Sequence, residues 1–121
     1  MHADFYSLIS SLITIPVYPD FVPESSALPA ASYLLVSAPE ERTLDDNADL
    51  QIEYWQLRIT GNSREEASRL AVQFRTSLRA AKCAAYQRVV IDSLTDETRA
   101  PGLTAAAVRI DITATRRAAD A

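Results

Sequence analysis

Residues 63–82 constrain the fold more than any other part of this chain, because their order predicts one long helix. Ser63 followed by Glu66 is a capping box. The Ser hydroxyl accepts a hydrogen bond from a backbone amide at the start of the helix, and the Glu carboxylate accepts one from the Ser backbone amide. A helix of this length measures about 30 Å and can cover four or five strands. Its apolar residues recur at the spacing of a single buried face; they are Ala67, Leu70, Ala71, Phe74, Leu78 and Ala81.

Basic residues flank the apolar face of this predicted helix. On a helical wheel they lie within about 60° of one another. A basic strip of this kind is often only a solvated surface, and that interpretation stays open. The alternative hypothesis is that the strip contacts acidic groups on another subunit. Its members are Arg64, Arg75, Arg79 and Lys82.

Residues 38–50 are the most acidic part of the chain. Five acidic residues and one basic residue, Arg42, give this segment a net charge of −5 + 1 = −4, which equals the charge of the whole protein. The remainder is balanced, which disfavours wide nucleic-acid binding. We predict an acidic arm or loop that is solvated or faces a partner. Its carboxylates could bind a divalent cation, but they lack the spacing of a calcium loop. The acidic residues are Glu40, Glu41, Asp45, Asp46 and Asp49.

Apolar segments on both sides of the long helix predict five strands. The first contains Pro16 and therefore belongs at a sheet edge. The order α-β-β-β-α-β-β predicts an α+β fold, in which one mostly antiparallel, four- to five-stranded sheet packs against the long helix and a short N-terminal helix. The short helix covers residues 3–12, and the strands cover 13–18, 32–37, 51–60, 86–94 and 103–115.

The predicted strands differ in how clearly they define an inner face. In the third strand Trp55, Leu57 and Ile59 share one face, while Ile52 and Tyr54 break the parity, which indicates a bulge or a second covered face. The second strand is apolar on both faces, so neither face should be freely solvated. Residues 116–121 have no apolar pattern and are predicted to fray. In the last strand the inward residues are Ala106, Val108, Ile110 and Ile112.

Length and composition predict one domain over residues 1–121, without site chemistry. Cys83 is the single cysteine, which excludes an intrachain disulfide and fits a reducing compartment. His2 is the single histidine, so we expect neither a set of His and Cys ligands for zinc nor a Cys-His or Ser-His nucleophile pair. The two glycines leave no phosphate-binding loop. We expect no catalysis, no cofactor, no signal segment and no membrane span.

The order of these elements resembles the tail-terminator, or tail-completion, proteins of long-tailed bacteriophages, including the lambda-type terminator. The resemblance covers nearly the whole chain. One departure is the spacing in residues 29–33, where such proteins often carry a Pro-Tyr pair. The resemblance rests on the helix at 5–9, Val17-Tyr18-Pro19, the proline-punctuated stretch 22–29, the strands 33–37 and 56–60, and the helix start Ser-x-x-Glu-Ala-x-x-Leu-Ala at 63–71.

The resemblance implies a structural virion protein and not an enzyme. Such a protein forms a ring of six copies at the head-proximal end of the tail tube, stops tube polymerisation and offers a surface for head–tail joining. Its partners would be further copies of itself, the tail tube protein and a neck protein, with assembly in the host cytoplasm. The acidic segment and the basic strip are the candidate interface residues. Ion pairs between them on adjacent copies would set how the copies align.

Two other functions stay open at this point. The chain could be a neck protein that joins head to tail. In a different class, it could be a small α+β module that binds a ligand between helix and sheet, because this architecture hosts many functions.

Overall fold

The α+β fold expected from the sequence is present in a computed structural model, which describes residues 2–22, 27–38, 40–41, 50–81, 86–97 and 106–117. Two helices accompany one sheet. In chain order the elements are α1 (His2–Leu12), β1 (Val17–Pro19), β2 (Ala30–Ser37), β3 (Glu40–Glu41), β4 (Leu50–Gly61), α2 (Arg64–Ala80), β5 (Arg88–Asp96) and β6 (Ala106–Arg117).

The sheet has the strand order β1-β2-β4-β6-β5, and the short β3 pairs with β4 off this path. Every pairing is antiparallel except that of β1 with β2, which is parallel, so the sheet is mixed. The central strands β4 and β6 pair along their whole length, from Leu50↔Arg117 to Gly61↔Ala106. Helix α2 connects β4 to β5, which lie on either side of β6.

The first part of the predicted acidic arm continues the sheet. β2 pairs with β4 as far as Ser37↔Tyr54, and β3 resumes the same register at Glu40↔Gln51. The bulge considered for the third strand is not there; the register shift lies in the neighbouring strand β2, between Leu35 and Ser37. Strand β4 itself keeps one parity throughout. Residues 42–49 of the arm lie outside the described residues.

Both helices pack on the same face of the sheet, because their apolar faces meet the inward side chains of β4 and β6. Phe5 of α1 stacks on Trp55 with ring centroids 4.1 Å apart and planes within 1°. The predicted inward residues of both central strands are confirmed as core. The core includes Ile9, Leu57, Ile59, Ala67, Ala71, Phe74, Leu78, Val108, Ile110 and Ile112.

The N-terminus of α2 has the predicted cap. The Ser63 hydroxyl accepts a hydrogen bond from the Glu66 amide at 3.2 Å. The Glu66 carboxylate accepts one from the Asn62 amide at 2.9 Å, which is one residue earlier than predicted. Gly61 ends β4 so near the helix that a Cβ there would lie 3.0 Å from the Ala67 nitrogen. A glycine therefore permits this tight strand–helix turn.

Some predicted boundaries were wrong. The first strand covers only Val17–Pro19, and the preceding Ile13 amide continues α1 by bonding the Ile9 carbonyl at 3.2 Å. The predicted fraying is wrong for Arg116 and Arg117, because β6 extends through both and pairs with the start of β4. Residues 118–121 lie outside the described residues.

Candidate assembly surfaces

The face of the sheet opposite the helices carries exposed apolar side chains. Leu34, Val36 and Tyr54 are 42%, 54% and 39% exposed. They lie close together, since Leu34 pairs with Gln56 and Tyr54 pairs with Ser37 across the β2–β4 ladder. We call these three residues the apolar patch. The sequence predicted that both faces of the second strand need cover, and within the described part of the chain this face has none.

Beside the apolar patch, the same face of the sheet carries an ion network. Arg58 Nε donates to Glu97 Oε1 at 3.0 Å. Arg109 lies 3.7 Å from the same carboxylate and 3.5 Å from Asp111. These charges are paired within the chain, whereas the side chains of the apolar patch are exposed.

A groove of about 410 Å³ lies between α2 and β5. Arg75, Leu78 and Arg79 line it from the helix, and residues 89–94 line it from the strand. β5 pairs only with β6 among the described strands. Within the described residues its other edge has no partner strand, and a sheet edge of this kind offers backbone groups for pairing.

The structure divides the predicted basic strip. Arg64 Nε lies 3.1 Å from Asp96 Oδ2, so this residue is paired within its own chain. Arg75 and Arg79 flank the groove and have no carboxylate within ion-pair distance among the described residues. Lys82 lies outside the described residues. Among the described members of the strip, Arg75 and Arg79 are thus the ones available to another molecule.

The structure describes two of the five acidic candidates. Glu40 and Glu41 form β3, whose backbone pairs with β4. Asp45, Asp46 and Asp49 lie outside the described residues. The expected pairing between acidic segment and basic strip therefore stays a prediction.

A buried charge cluster, which the sequence analysis missed, joins the central strands to α1. Glu53 is completely buried and Arg116 is 2% exposed. Arg116 Nε lies 3.0 Å from Glu53 Oε2, and its Nη1 donates to Asp4 Oδ2 at 2.8 Å. Glu53 Oε1 accepts hydrogen bonds from Trp55 Nε1 at 2.9 Å and from the Tyr86 hydroxyl at 3.0 Å.

The buried charge cluster shifts the acid–base behaviour of its members. Burial, together with the neighbouring Glu53, raises the pKa of Tyr86. The hydrogen bond from Arg116 lowers the pKa of Asp4. The Arg116 guanidinium also lies 4.5 Å from the centre of the Tyr86 ring and donates to its hydroxyl oxygen at 3.0 Å. These groups mainly bind one another. We therefore interpret the cluster as structural, since it holds α1 against β4 and β6.

A sequence signal for the buried cluster lies in the alternation of the two central strands. Glu53 has the same parity as Trp55, and Arg116 has the same parity as Ile112. Extending each alternation to these positions predicts opposite charges on the inner face of neighbouring strands. The signal is easily passed over because charged residues are rarely fully buried.

No family model matches this chain, and no curated protein matches it in sequence. Among the described residues, no group of three or more His, Cys, Asp or Glu could hold a metal ion. In the same part of the chain, neither helix has the length and apolar character needed to cross a membrane.

Proposed function

We propose that this protein is a structural virion protein, a tail terminator that forms a ring on the head-proximal end of a phage tail tube. The observation that carries the proposal is the one-sided packing of the sheet. Both helices cover one face, while Leu34, Val36 and Tyr54 are exposed on the other. Clustered apolar exposure is typical of a surface that another protein covers. The order of elements, which resembles the tail-terminator family, supports the same function.

A ring needs two different surfaces on each copy, because a head-to-tail contact joins unlike patches. This chain offers two that lie apart. The apolar patch is on β2 and β4, and the groove is at β5, with β6 between β4 and β5. In the proposed assembly, six copies close the ring, stop tube polymerisation and present a surface to the neck protein. The protein then works in the virion through contacts and not through catalysis.

Electron microscopy of particles made while this gene is silenced tests the proposal. Tails of uncontrolled length beside unjoined heads are the expected result. Free tails of normal length beside full heads would instead support the neck function. Normal infectious particles would overturn both virion functions.

The groove favours a second candidate, a small ligand-binding module. Its volume of about 410 Å³ lies within the range of small-molecule sites. Arg75 and Arg79 could recognise an anionic ligand there. Mass in solution at several concentrations and ionic strengths distinguishes the two functions, since a ring-former gains mass with concentration. A ligand module stays small, and anionic metabolites raise its melting temperature.

A further inference from the structure

We propose that Phe21 of one copy of this chain inserts into the groove between α2 and β5 of a second copy, where Asp20 lies beside Arg75 and Arg79. The contact joins the β1 edge of one sheet to the β5 edge of the next. This inference rests on the proposed ring, because it names the surfaces by which one copy holds its neighbour.

Phe21 is the most exposed large apolar side chain in the described part of the chain, at 70%. The turn that presents it is fixed by two hydrogen bonds of 2.8 Å: the Asp20 amide donates to the Tyr33 carbonyl, and the Phe21 amide donates to the Pro19 carbonyl. Asp20, between Pro19 and Phe21, has a φ of 66°, so the chain forms the rare and strained kind of γ-turn. Strained backbone of this kind is found mostly at functional sites. An aromatic side chain on a fixed turn is suited to dominate a contact, because little backbone freedom is lost on binding.

The groove offers an apolar surface to this ring. Val89 and Ile91 are half-buried, and Leu94 is 37% exposed. Leu78 lines the groove from the helix side. The groove of about 410 Å³ has room for a phenyl ring, since sites of roughly 300–1,000 Å³ hold whole small molecules. An inserted ring would cover these apolar side chains and be covered by them.

Charge complementarity favours the same pairing of surfaces. Asp20 is exposed and has no cationic side chain within ion-pair distance among the described residues. The lining of the groove carries two cations, Arg75 and Arg79, against one anion, Asp92. Arg88 is likewise without a described carboxylate partner, but it precedes the part of β5 that lines the groove. The two lining arginines are one helical turn apart, so a carboxylate beside the inserted ring relieves their repulsion.

The position of the two surfaces argues for a second copy over the same chain. β1 and β5 are the opposite ends of the strand order β1-β2-β4-β6-β5. Four strand spacings separate them, or about 19 Å at ~4.8 Å each. The hydrogen bond from the Asp20 amide to Tyr33 of β2 holds Phe21 at the β1 edge, so it cannot enter the groove of its own chain. A contact between opposite edges is head-to-tail, and repeating it closes a ring when the rotation per copy allows.

Two variants test the contact by light scattering over a range of concentrations. F21A removes the inserted ring, and R75E/R79E reverses the charge of the groove. We expect each variant to need at least about tenfold higher concentration than the wild type to gain mass. An equal mixture should gain mass at lower concentration than either variant alone and should stop at two copies. The intact groove of F21A accepts the intact Phe21 of R75E/R79E, and the remaining two surfaces of the pair are defective.

Milder changes and matched controls accompany these variants. D20N removes the charge and keeps a residue that tolerates a positive φ, and R79Q removes one exposed charge. Each should weaken assembly several-fold, and they replace F21A or R75E/R79E if circular dichroism shows that either fails to fold. R69E and V72S change an exposed charge and an exposed apolar side chain of α2 outside the groove, so they should leave the mass unchanged.

The groove contact and the proposed function can fail separately. Wild-type assembly by F21A or by R75E/R79E would overturn the contact, as would a mixture that grows beyond two copies or a wild type that stays monomeric at every concentration. Tail length in the silenced infection tests the terminator function alone. Overlong tails together with assembly that ignores Phe21 would leave the function standing without this contact. Normal particles together with assembly that requires Phe21 would leave the contact standing without the function.

Discussion

At the scale of single residues, the buried pair of Glu53 and Arg116 is the least expected feature. Removing charges from water costs free energy, which close pairing and hydrogen bonds must offset. Here Trp55 and Tyr86 donate to the carboxylate, and Asp4 accepts from the guanidinium. The cluster thus fixes α1 to the ends of β4 and β6.

We predict that R116M destabilises the fold by about 3–5 kcal/mol, because it leaves the Glu53 carboxylate buried without a counter-charge. Urea unfolding measures the change. R88M is the control, since Arg88 is exposed, and it should stay within about 0.5 kcal/mol of the wild type. A loss below about 1 kcal/mol in R116M would contradict a tightly coupled pair.

Asp4 gives a pH-dependent prediction. Its hydrogen bond with Arg116 holds its pKa below the ordinary 3.8. A carboxyl group with a lowered folded pKa stabilises the fold above its unfolded pKa, and this contribution is lost as pH falls through the folded pKa. D4N should therefore be less stable than the wild type at neutral pH, by under about 1 kcal/mol because Asp4 is partly exposed.

The difference between D4N and the wild type should shrink as the pH falls below the ordinary pKa of Asp4. Urea unfolding at a series of pH values measures this. A difference that stays constant with pH would mean that the Asp4 charge does not contribute.

At the scale of elements, α2 depends on its first turn, where Ser63 caps the helix against β4. We predict that S63A lowers the free energy of unfolding by about 1 kcal/mol, because the Glu66 amide loses its acceptor. Chemical denaturation measures the loss. S68A, an exposed change within the same helix, should be neutral or slightly stabilising, since Ala has the higher helix propensity. Equal effects of the two changes would argue against the cap.

At the scale of the whole molecule, the two-layer architecture leaves one sheet face for assembly. We predict that the double variant L34S/V36S weakens self-association about tenfold or more, because burial of two apolar side chains is worth roughly 1.5 kcal/mol or more. Its free energy of unfolding should change little, because both side chains are already exposed. Light scattering and urea unfolding separate these effects.

V72S is the control for the apolar patch. Val72 is 47% exposed but lies on α2, on the other layer of the molecule. If V72S lowers the mass as much as L34S/V36S does, the loss follows from replacing any exposed apolar side chain and not from a specific contact at the patch.

The local pattern of the sequence predicted the elements and much of the core. The capping box and the 3.6-residue period specify α2, and two-residue alternation specifies the inner faces of β4 and β6. These signals are local, because each residue's environment repeats along its own helix or strand. The same patterns located Arg75 and Arg79 beside the apolar face of α2.

Only the tertiary structure decided which charges pair. Arg64 and Arg79 look alike on a helical wheel, yet Arg64 meets Asp96 and Arg79 flanks a groove. Arg116 looked like part of a fraying end and instead lies buried against Glu53. Such pairings join residues far apart in sequence, so strand order and register set them. The sequence determined the helix and the strand faces, and the sheet topology determined which polar groups were buried and which surfaces stayed open.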